Sequence, residues 1–449
     1  MESRLSPSPF FTDRQVIAEG RAPGRLDVMG GIADYSGSLV LQMPLPETTT
    51  VRVAFRADDI LRIHSANVGA TFECPLSSLA TDSYPVLRET ILRLPGGRWA
   101  VYPVGCLVVL ARGKDLFLRG LDVFVQSEVP LGKGVSSSAA LEIATLKALC
   151  QLYRLQLPGM ELAKLAQQAE NQVVGSPCGL MDQLASCFGK TGHLLPIVCQ
   201  PDALRPLMPL PDGLHFVGMD SGVRHAVSGA SYGQVRAGAF MGYSLIARHE
   251  GANTADLQYA RRTGNWSALP YGGFLSNISP VVFAQRYLAL LPETRTGLDF
   301  LENAGPTIDA VSDLVPAVTY AVRACTAHPV YEHNRVSTFA NFLENLTANP
   351  LQINAGDRRQ TLVAMGQLMY QSHASYSACG LGNAYTDELV DIVRRIGPDA
   401  DVYGAKITGG GSGGTVCVLV YGPDGLATAR QLFADYVSRH RFKGLKFFG

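Results

Sequence analysis

Glycine occupies five of the six consecutive positions 409–414, within the segment Ile407–Thr415 (ITGGGSGGT) of this 449-residue chain. Glycine loses more conformational freedom on folding than any other residue, so such a run destabilises a regular helix or strand. The usual compensation is close approach of the backbone to a ligand or to another backbone. The alternative is a tight turn between strands, but a turn rarely needs so many glycines. The run therefore predicts a functional loop, and it leads into a predicted buried strand at Thr415–Tyr421.

A second glycine-rich loop spans Pro130–Leu141 (PLGKGVSSSAAL). It follows a predicted strand at Leu121–Gln126 and opens a predicted helix at Ala140–Tyr153. At a helix start, backbone N–H groups and the helix dipole converge on an anion such as phosphate. The spacing differs from that of the common P-loop. Taken alone, the segment fits an ordinary loop with a serine N-cap equally well.

A third segment, Ala22–Met43, places Arg25 and Asp34 among apolar residues and turn formers. Charged groups in such surroundings should be paired or face a ligand, because a buried charge is otherwise costly. By itself this pattern is also compatible with a structural ion pair.

Charge and cysteine content restrict the class of protein. The 38 basic and 38 acidic residues balance, which gives no support for nucleic acid or an anionic membrane as a partner. The longest apolar runs have the length of strands, and the first residues lack a secretory pattern. The nine cysteines are scattered, with no C-x-x-C spacing, so reduced thiols are expected and structural zinc is not. These features indicate a cytoplasmic protein.

The order of predicted elements indicates an α+β fold with two domains, at 1–210 and 211–449. A proline-rich stretch, Pro206–Gly213, marks the expected boundary. A further helix is predicted at Met160–Val174 and another at Gly425–Arg439. The segment Gly251–Pro280 is expected to be an excursion on the second domain.

The three segments, in this order, resemble the three motifs of the GHMP kinase superfamily, and the first resembles the galactokinase signature. The resemblance extends to Arg98–Tyr102 (RWAVY), to Ala169–Gln183 (AENQVVGSPCGLMDQ) and to Val223-Arg224-His225 with Tyr232. It implies a two-domain GHMP kinase fold with the active site in the cleft between the domains. It also implies a sugar-1-kinase that uses ATP and Mg²⁺.

The resemblance assigns catalytic roles to two residues. Asp182 would be the carboxylate that accepts the proton of the sugar hydroxyl, and Arg25 would lie beside it. Glu170 and Ser137 would hold Mg²⁺, which prefers oxygen ligands. Without the resemblance, Asp182 could be a helix cap and Glu170 a solvated helix residue.

ATP contacts follow from the same resemblance. Trp99 and Tyr102 would lie near the adenine, although most aromatic residues simply belong to a core. Lys133 and Arg224 would contact phosphate, with a surface charge as the alternative for each. The complete set of expected ATP contacts is Trp99, Tyr102, Pro130, Gly132, Lys133, Gly134, Ser136, Ser137, Ser138, Arg224, Gly410 and Gly411.

One departure from the galactokinase pattern bears on the sugar. Galactokinases carry a Glu-His pair near the C6 edge of the sugar, where this chain has Gly31-Ile32. A pocket without these polar partners should disfavour a hydroxymethyl group, which indicates a pentose. L-Arabinose matches galactose without that group. The expected sugar contacts are Asp34, Gly31, Ile32, Gly179 and Tyr232.

The strings Gly24–Gly37 and Tyr403–Thr408 also resemble the L-arabinokinase branch. Plant members of that branch carry an additional amino-terminal region that this sequence lacks, and we expect the kinase part to be complete without it. A uronic-acid kinase, a galactokinase of relaxed specificity and a non-catalytic sugar and ATP sensor are the alternatives. The presence of Arg25, Ser137, Glu170 and Asp182 argues against the sensor. The oligomeric state is left open.

Overall fold

The fold is described from a computed structural model that covers residues 10–12, 15–200, 202–223, 230–348 and 353–449. The chain divides into two compact units, each discontinuous in sequence. Unit 1 contains residues 1–24, 46–131 and 136–188, and unit 2 contains residues 25–45, 132–135 and 189–449. The domain boundary near residue 210 that the sequence suggests stays a prediction.

The described residues form fourteen strands. They are β1 Ala18–Met29, β2 Leu39–Phe55, β3 Ile60–Ser65, β4 Ala70–Pro75, β5 Leu121–Ser127, β6 His193–Val198, β7 Ala203–Leu204, β8 Met208–Pro209, β9 Leu214–Asp220, β10 Arg295–Thr296, β11 Thr319–Tyr320, β12 Val402–Ile407, β13 Thr415–Tyr421 and β14 Phe447–Phe448.

Thirteen α-helices occur in the same described ranges. They are α1 Tyr84–Arg93, α2 Gly97–Gly113, α3 Ser137–Leu152, α4 Gly159–Gln168, α5 Met181–Phe188, α6 Ala230–His249, α7 Thr254–Thr263, α8 Pro280–Val282, α9 Gly297–Ala304, α10 Val322–Ala348, α11 Ala355–Ala378, α12 Ala384–Ile396 and α13 Gly422–His440. Shorter 3₁₀ turns include Gly31–Ser36, and a π-helical turn spans Ala169–Val174. In the described part of the chain, no helix is both long and apolar enough to cross a bilayer.

Unit 1 packs its helices on the strands β2 to β5. Strand β5 pairs antiparallel with β2, from Thr49 opposite Ser127 to Phe55 opposite Leu121, and parallel with β3. Apolar side chains of β5 and of α2 and α3 fill one buried core. The strand predicted at Leu121–Gln126 and the helix predicted from Ala140 are thereby confirmed.

The helix predicted at Met160–Val174 is only partly α-helical. Helix α4 ends at Gln168, and the chain continues as the π-helical turn Ala169–Val174, which ends at Gly175 with a φ of 76°. A π-helical turn inserts one extra residue and often marks a functional site. Hydrophobic periodicity did not reveal it, because Leu162, Leu165 and Val173 are all buried as expected.

Unit 2 contains an antiparallel sheet in the order β12-β13-β9-β14. Strand β13 is buried along Thr415–Val420, which explains its continuous apolar sequence. Helix α11 lies so close to β12 that a Cβ on Gly366 would overlap the Tyr403 carbonyl oxygen. A separate helical core contains Leu257, Leu269 and Leu275, so the segment Gly251–Pro280 contributes to the interior rather than forming an excursion. The α+β class is confirmed by this mixture of helices and sheets.

Candidate active site

The two glycine-rich loops meet in unit 2. A Cβ added to Gly409 would lie 2.7 Å from the carbonyl oxygen of Gly134, and one added to Gly414 would lie 2.7 Å from that of Lys133. Both glycines have positive φ values, of 69° and 84°. Thr415 strengthens the contact by donating its hydroxyl to the Lys133 carbonyl oxygen at 2.9 Å. Close approach of two backbones therefore accounts for the glycines at these two positions.

Two of the cations expected at the site, Arg25 and Lys133, have defined partners in unit 2. Arg25 is buried, and its Nη1 donates to the Gly134 carbonyl oxygen at 2.7 Å. Its backbone N–H donates to the Val135 carbonyl at 3.1 Å. Lys133 forms an ion pair with Asp220, with 2.8 Å between Nζ and Oδ1. Arg25 is thus fixed against the glycine loop, while Lys133 is held by a carboxylate.

The first motif of unit 2 forms the buried 3₁₀ turn Gly31–Ser36, and three consecutive backbone amides at its start are bound by buried side chains. Gly30 N–H donates to Glu332 Oε1 at 3.3 Å, and Gly31 N–H to Asp27 Oδ1 at 2.9 Å. Ile32 N–H donates to the hydroxyl of Tyr376 at 2.9 Å. Main-chain groups that lack partners in regular structure are satisfied here by side chains, which fixes the conformation of the motif.

A buried ion pair holds this motif against the strand Val402–Ile407, which leads into the glycine-rich loop Ile407–Thr415. Lys406 Nζ lies 2.6 Å from Asp27 Oδ2, and both side chains are fully inaccessible to solvent. Thr408 adds two hydrogen bonds to the Asp27 backbone, accepting from its N–H at 2.7 Å and donating to its carbonyl at 3.1 Å. Removing one member of such a pair leaves an uncompensated buried charge.

Two of the expected sugar contacts lie together in unit 2. The Tyr232 hydroxyl donates to Asp34 Oδ1 at 3.5 Å, and the Tyr35 N–H donates to the same oxygen at 2.7 Å.

Arg236 binds Asp309 through two hydrogen bonds of 2.8 and 2.9 Å. Burial opposes ionisation of Asp309, but the Arg236 guanidinium outweighs it and holds the pKa of Asp309 below its ordinary value.

In unit 1, helix α3 begins at the serine run. Ser136 precedes the helix in a left-handed conformation, with a φ of 57° and a ψ of 45°. Its side chain makes no capping hydrogen bond, and its buried Oγ has no hydrogen-bond partner within the described part of the chain. A residue normally used as a cap is therefore available for a ligand at a helix N-terminus, which favours anions.

A cluster of carboxyl groups lies beside that helix start. Gln183 Nε2 donates to Glu170 Oε2 at 2.7 Å and to Glu142 Oε2 at 3.3 Å. Ser138 also hydrogen-bonds to Glu170, and the Cys178 thiol lies 3.5 Å from the same carboxylate. Both glutamates are buried.

Burial dominates the electrostatics of this cluster. Desolvation, reinforced by the charge of Asp182, raises the pKa of Glu170 to about 7. Desolvation and the Glu170 charge raise the pKa of Glu142 well above its ordinary value. Asp182 lies in the first turn of α5 and is half-buried. A binding partner that supplies positive charge would stabilise the ionised forms.

The remaining predicted contacts are distributed over both units. Trp99 and Tyr102 lie half-buried in α2, and burial together with the charge of Glu170 raises the pKa of Tyr102. Arg224 lies outside the described residues. In unit 1, half-buried positions are occupied by Pro130, Ser137, Ser138 and Gly179; in unit 2, they are occupied by Gly132, Gly134 and Gly410, whereas Gly411 is buried. Asp182 belongs to unit 1 and Arg25 to unit 2, so their direct pairing stays a prediction.

Comparison with known proteins bears on this arrangement. Residues 102–190 match the domain family "GHMP kinases N terminal domain". Residues 353–437 match the domain family "GHMP kinases C terminal". A galactokinase from Chloroflexus aggregans is 33% identical, with 89% of this chain and 83% of that protein covered. The chain belongs to the GHMP kinase family.

Another relative of this GHMP kinase is an L-arabinokinase from Arabidopsis thaliana, which is 36% identical over 96% of the chain. The chain spans 45% of the length of that relative. Among solved structures, the galactokinase of Lactococcus lactis complexed with galactose has a TM-score of 0.71 at 22% identity, covering 98% of this chain and 94% of that one. The mevalonate kinase of Methanococcus jannaschii has a TM-score of 0.54 at 14% identity, with 98% of each chain covered. These structures confirm the GHMP kinase fold.

Several residues at the motifs of this GHMP kinase have no role that the sequence predicts. Asp27, Glu332, Tyr376 and Lys406 bind or support the first motif, and none was assigned a role. A lysine within the apolar strand Val402–Ile407 was the available signal, because a buried lysine requires a partner. Nothing in the local sequence identified Asp27 as that partner.

Proposed function

We propose that this GHMP kinase transfers the γ-phosphoryl group of ATP to the anomeric hydroxyl of a monosaccharide. The observation that carries the proposal is the close packing of the two glycine-rich loops, in which Gly409 and Gly414 leave room only for backbone. Such loops present main-chain amides to phosphate groups. The names of the relatives, an L-arabinokinase and several galactokinases, support a sugar as the acceptor.

In the proposed reaction, Asp182 accepts the proton of the anomeric hydroxyl while that oxygen forms a bond to the γ-phosphorus. The bond between the γ-phosphorus and the bridging oxygen breaks, and ADP leaves with that electron pair. Arg25 offsets negative charge on the transferred group, and its buried guanidinium is already oriented by the Gly134 carbonyl. The amides at the start of α3, with the Ser136 hydroxyl, bind phosphate oxygens.

The residues of unit 1 fit a magnesium ion. Glu170 supplies a buried carboxylate with a raised pKa, and a nearby cation would stabilise its ionised form. Ser137 and Ser138 supply hydroxyl oxygens. When bound, Mg²⁺ would neutralise phosphate charge. In the described residues, no group of three or more His, Cys, Asp or Glu side chains is placed to hold a metal. Mg²⁺ keeps several waters and binds substrate phosphates, so it needs few protein ligands.

We further propose L-arabinose as the sugar, with Asp34, Gly179 and Tyr232 as contacts. Position 31 supports a pentose, because it carries no side chain that could hydrogen-bond a hydroxymethyl group. Galactose is the second candidate, since the galactokinases match most of the chain. A uronic acid is less well supported: Lys406 and Arg236, the buried cations described beside the first motif, are both paired with carboxylates. The nine unpaired thiols favour the cytoplasm as the compartment of this reaction.

The test is turnover of purified protein with Mg-ATP and a panel containing L-arabinose, D-galactose and D-galacturonate. Product formation would be followed by ³¹P NMR, with Asp182→Ala as the inactive control. The proposal expects a sugar 1-phosphate, formed fastest from L-arabinose. Saturable binding of sugar and ATP without any phosphorylated sugar would instead identify a sensor. A higher kcat/KM for galactose or galacturonate would replace the proposed substrate while leaving the reaction type intact.

A further inference from the structure

The space beside the backbone of Gly31 is filled by a neighbouring side chain. Gly31 has a φ of 37°, in the left-handed region. A Cβ built on it would overlap the hydroxyl oxygen of Tyr376 and lie 2.7 Å from Asp27 Oδ2. The volume that any side chain at this position would enter is therefore already filled by a phenol from helix α11.

The Tyr376 hydroxyl is fixed in that place by two hydrogen bonds. It accepts from the Ile32 N–H at 2.9 Å and donates to the Gly409 carbonyl oxygen at 3.1 Å. Its ring is fully buried, with Lys406 Nζ 5.2 Å from the ring centroid and His328 packed edge-on at 5.3 Å. These contacts leave the side chain little freedom to move away from position 31.

We propose that Tyr376 is a specificity-determining residue, whose hydroxyl replaces the missing side chain at position 31 and fills the space beside the C6 edge of the sugar. This inference rests on the proposed function, in which position 31 faces that edge. In such a pocket the hydroxyl excludes a C6 substituent by volume. Its only proton is donated to the Gly409 carbonyl oxygen, so it has no hydrogen bond to donate to a sugar hydroxymethyl oxygen.

A shift of preference from L-arabinose to galactose should require a change at Tyr376 as well as at positions 31 and 32. The sequence alone suggests that Gly31→Glu with Ile32→His would shift preference toward galactose. In the structure, the new Cβ would collide with Tyr376 and Asp27, and the left-handed backbone would be strained. We expect that exchange to inactivate the protein unless Tyr376 is reduced in size as well.

The experiment compares three acceptors that differ only at C5 of the ring. L-Arabinose lacks the C6 group, D-fucose carries a methyl group, and D-galactose carries a hydroxymethyl group. Values of kcat/KM would be measured for wild type, Tyr376→Phe and Tyr376→Leu. Tyr370→Phe is the matched control, because Tyr370 lies in the same helix and packs against Arg394 in a different core.

The expected result is a rise of about ten-fold or more in the D-fucose to L-arabinose ratio for Tyr376→Leu, since one carbon in a fitted pocket is worth that much. Tyr376→Phe, which removes only the oxygen, should raise the ratio in the same direction. D-Galactose should gain less than D-fucose, because the enlarged pocket still lacks a partner for its hydroxyl. Tyr370→Phe should leave the ratio unchanged.

A further variant tests the overlap directly. Gly31→Ala alone should lose most activity, and Gly31→Ala combined with Tyr376→Leu should recover at least part of it. If Tyr376→Leu does not fold, Tyr376→Phe decides the question, because it keeps the packed ring.

Several outcomes would overturn the inference. Unchanged ratios in both Tyr376 variants would do so, as would an equal loss of kcat on all three sugars, which signals a purely structural role. A wild-type protein that phosphorylates none of these sugars would remove the proposed function itself. Active wild type with insensitive Tyr376 variants would remove only the inference.

Discussion

Three buried glutamates, two in unit 1 and one in unit 2, have opposite electrostatic surroundings. In unit 1, Glu142 and Glu170 are hydrogen-bonded by neutral groups, and burial raises the pKa of each. In unit 2, Glu332 is equally buried, but Arg335, His328 and Lys406 together outweigh its desolvation and lower its pKa to about 2. In unit 1, the two glutamates would therefore be stabilised by a proton or a cation. In unit 2, the negative charge of Glu332 is already compensated by neighbouring positive charges.

The difference in charge pairing distinguishes carboxylates that stabilise the fold from carboxylates that could bind a cation. In unit 2, Glu332 and Asp27 bind backbone amides of the first motif and are paired with arginine or lysine, which suits a fixed scaffold. In unit 1, Glu142 and Glu170 lie close to each other and to Asp182, and the mutual repulsion of these carboxylates is unfavourable without a cation. Strongly perturbed groups at such a place are typical of a catalytic site.

The largest effect is expected at Asp182. Asp182→Asn keeps the shape but removes the proton acceptor, so kcat should fall by about 10²- to 10⁴-fold with little change in stability. Steady-state ADP release and thermal unfolding would measure the two effects. The carboxylate is not the base if turnover stays within a few-fold of wild type.

The reverse pattern is expected at Lys406. Lys406→Met leaves the Asp27 charge buried without its partner and should cost about 3–5 kcal/mol in the free energy of unfolding. The double variant Asp27→Asn with Lys406→Met should recover much of that loss, because both charges are then gone. Urea unfolding of the two variants tests this, and an equal loss in both would contradict an electrostatic origin.

A smaller effect concerns magnesium. Glu170→Gln should raise the Mg²⁺ concentration for half-maximal turnover by about ten- to hundred-fold. For wild type at limiting Mg²⁺, turnover should rise as pH increases through about 7, because Glu170 must lose its proton to bind a cation. Titrations at pH 6 and pH 8 would show this. A Mg²⁺ requirement that is the same at both values would argue against Glu170 as the ligand.

The smallest predicted effect is a difference in the pH dependence of stability. The pKa of Glu142 is raised on folding, so its contribution is full below the ordinary carboxyl pKa and is lost as pH rises. Glu142→Gln cannot ionise, so its free energy of unfolding should fall less than that of wild type as the pH rises from 6 to 7. Urea unfolding at the two pH values measures it. Parallel curves for wild type and variant would show that Glu142 does not titrate differently on folding.

Much of the fold could be predicted from local pattern. The strand Thr415–Tyr421 is found with the predicted bounds, and helix α3 begins three residues before the predicted Ala140. Periodicity reports burial, and burial is decided largely by local sequence in these elements. It does not report which backbone groups are hydrogen-bonded to each other. Periodicity therefore predicts an α-helix where the structure has the π-helical turn Ala169–Val174.

The site was predictable only where a motif is contiguous. The serine run and the glycine clusters could be found because loop, helix start and glycines follow one another in the sequence. The contacts of Tyr376 with Gly31 and of Lys406 with Asp27 join residues more than 300 positions apart. Such pairs are set by packing of distant elements, and one sequence contains no local signal that names both partners.

The connectivity of the product shows whether phosphorylation occurs at the anomeric oxygen. Purified protein would be incubated with Mg-ATP and L-arabinose labelled with ¹³C at C1, and the product examined by ¹³C and ³¹P NMR. We predict a carbon–phosphorus coupling at the labelled C1, absent in the Asp182→Asn reaction over the same time. ATP hydrolysis without a sugar phosphate, or a phosphate attached to another carbon, would show that the protein is not a sugar-1-kinase.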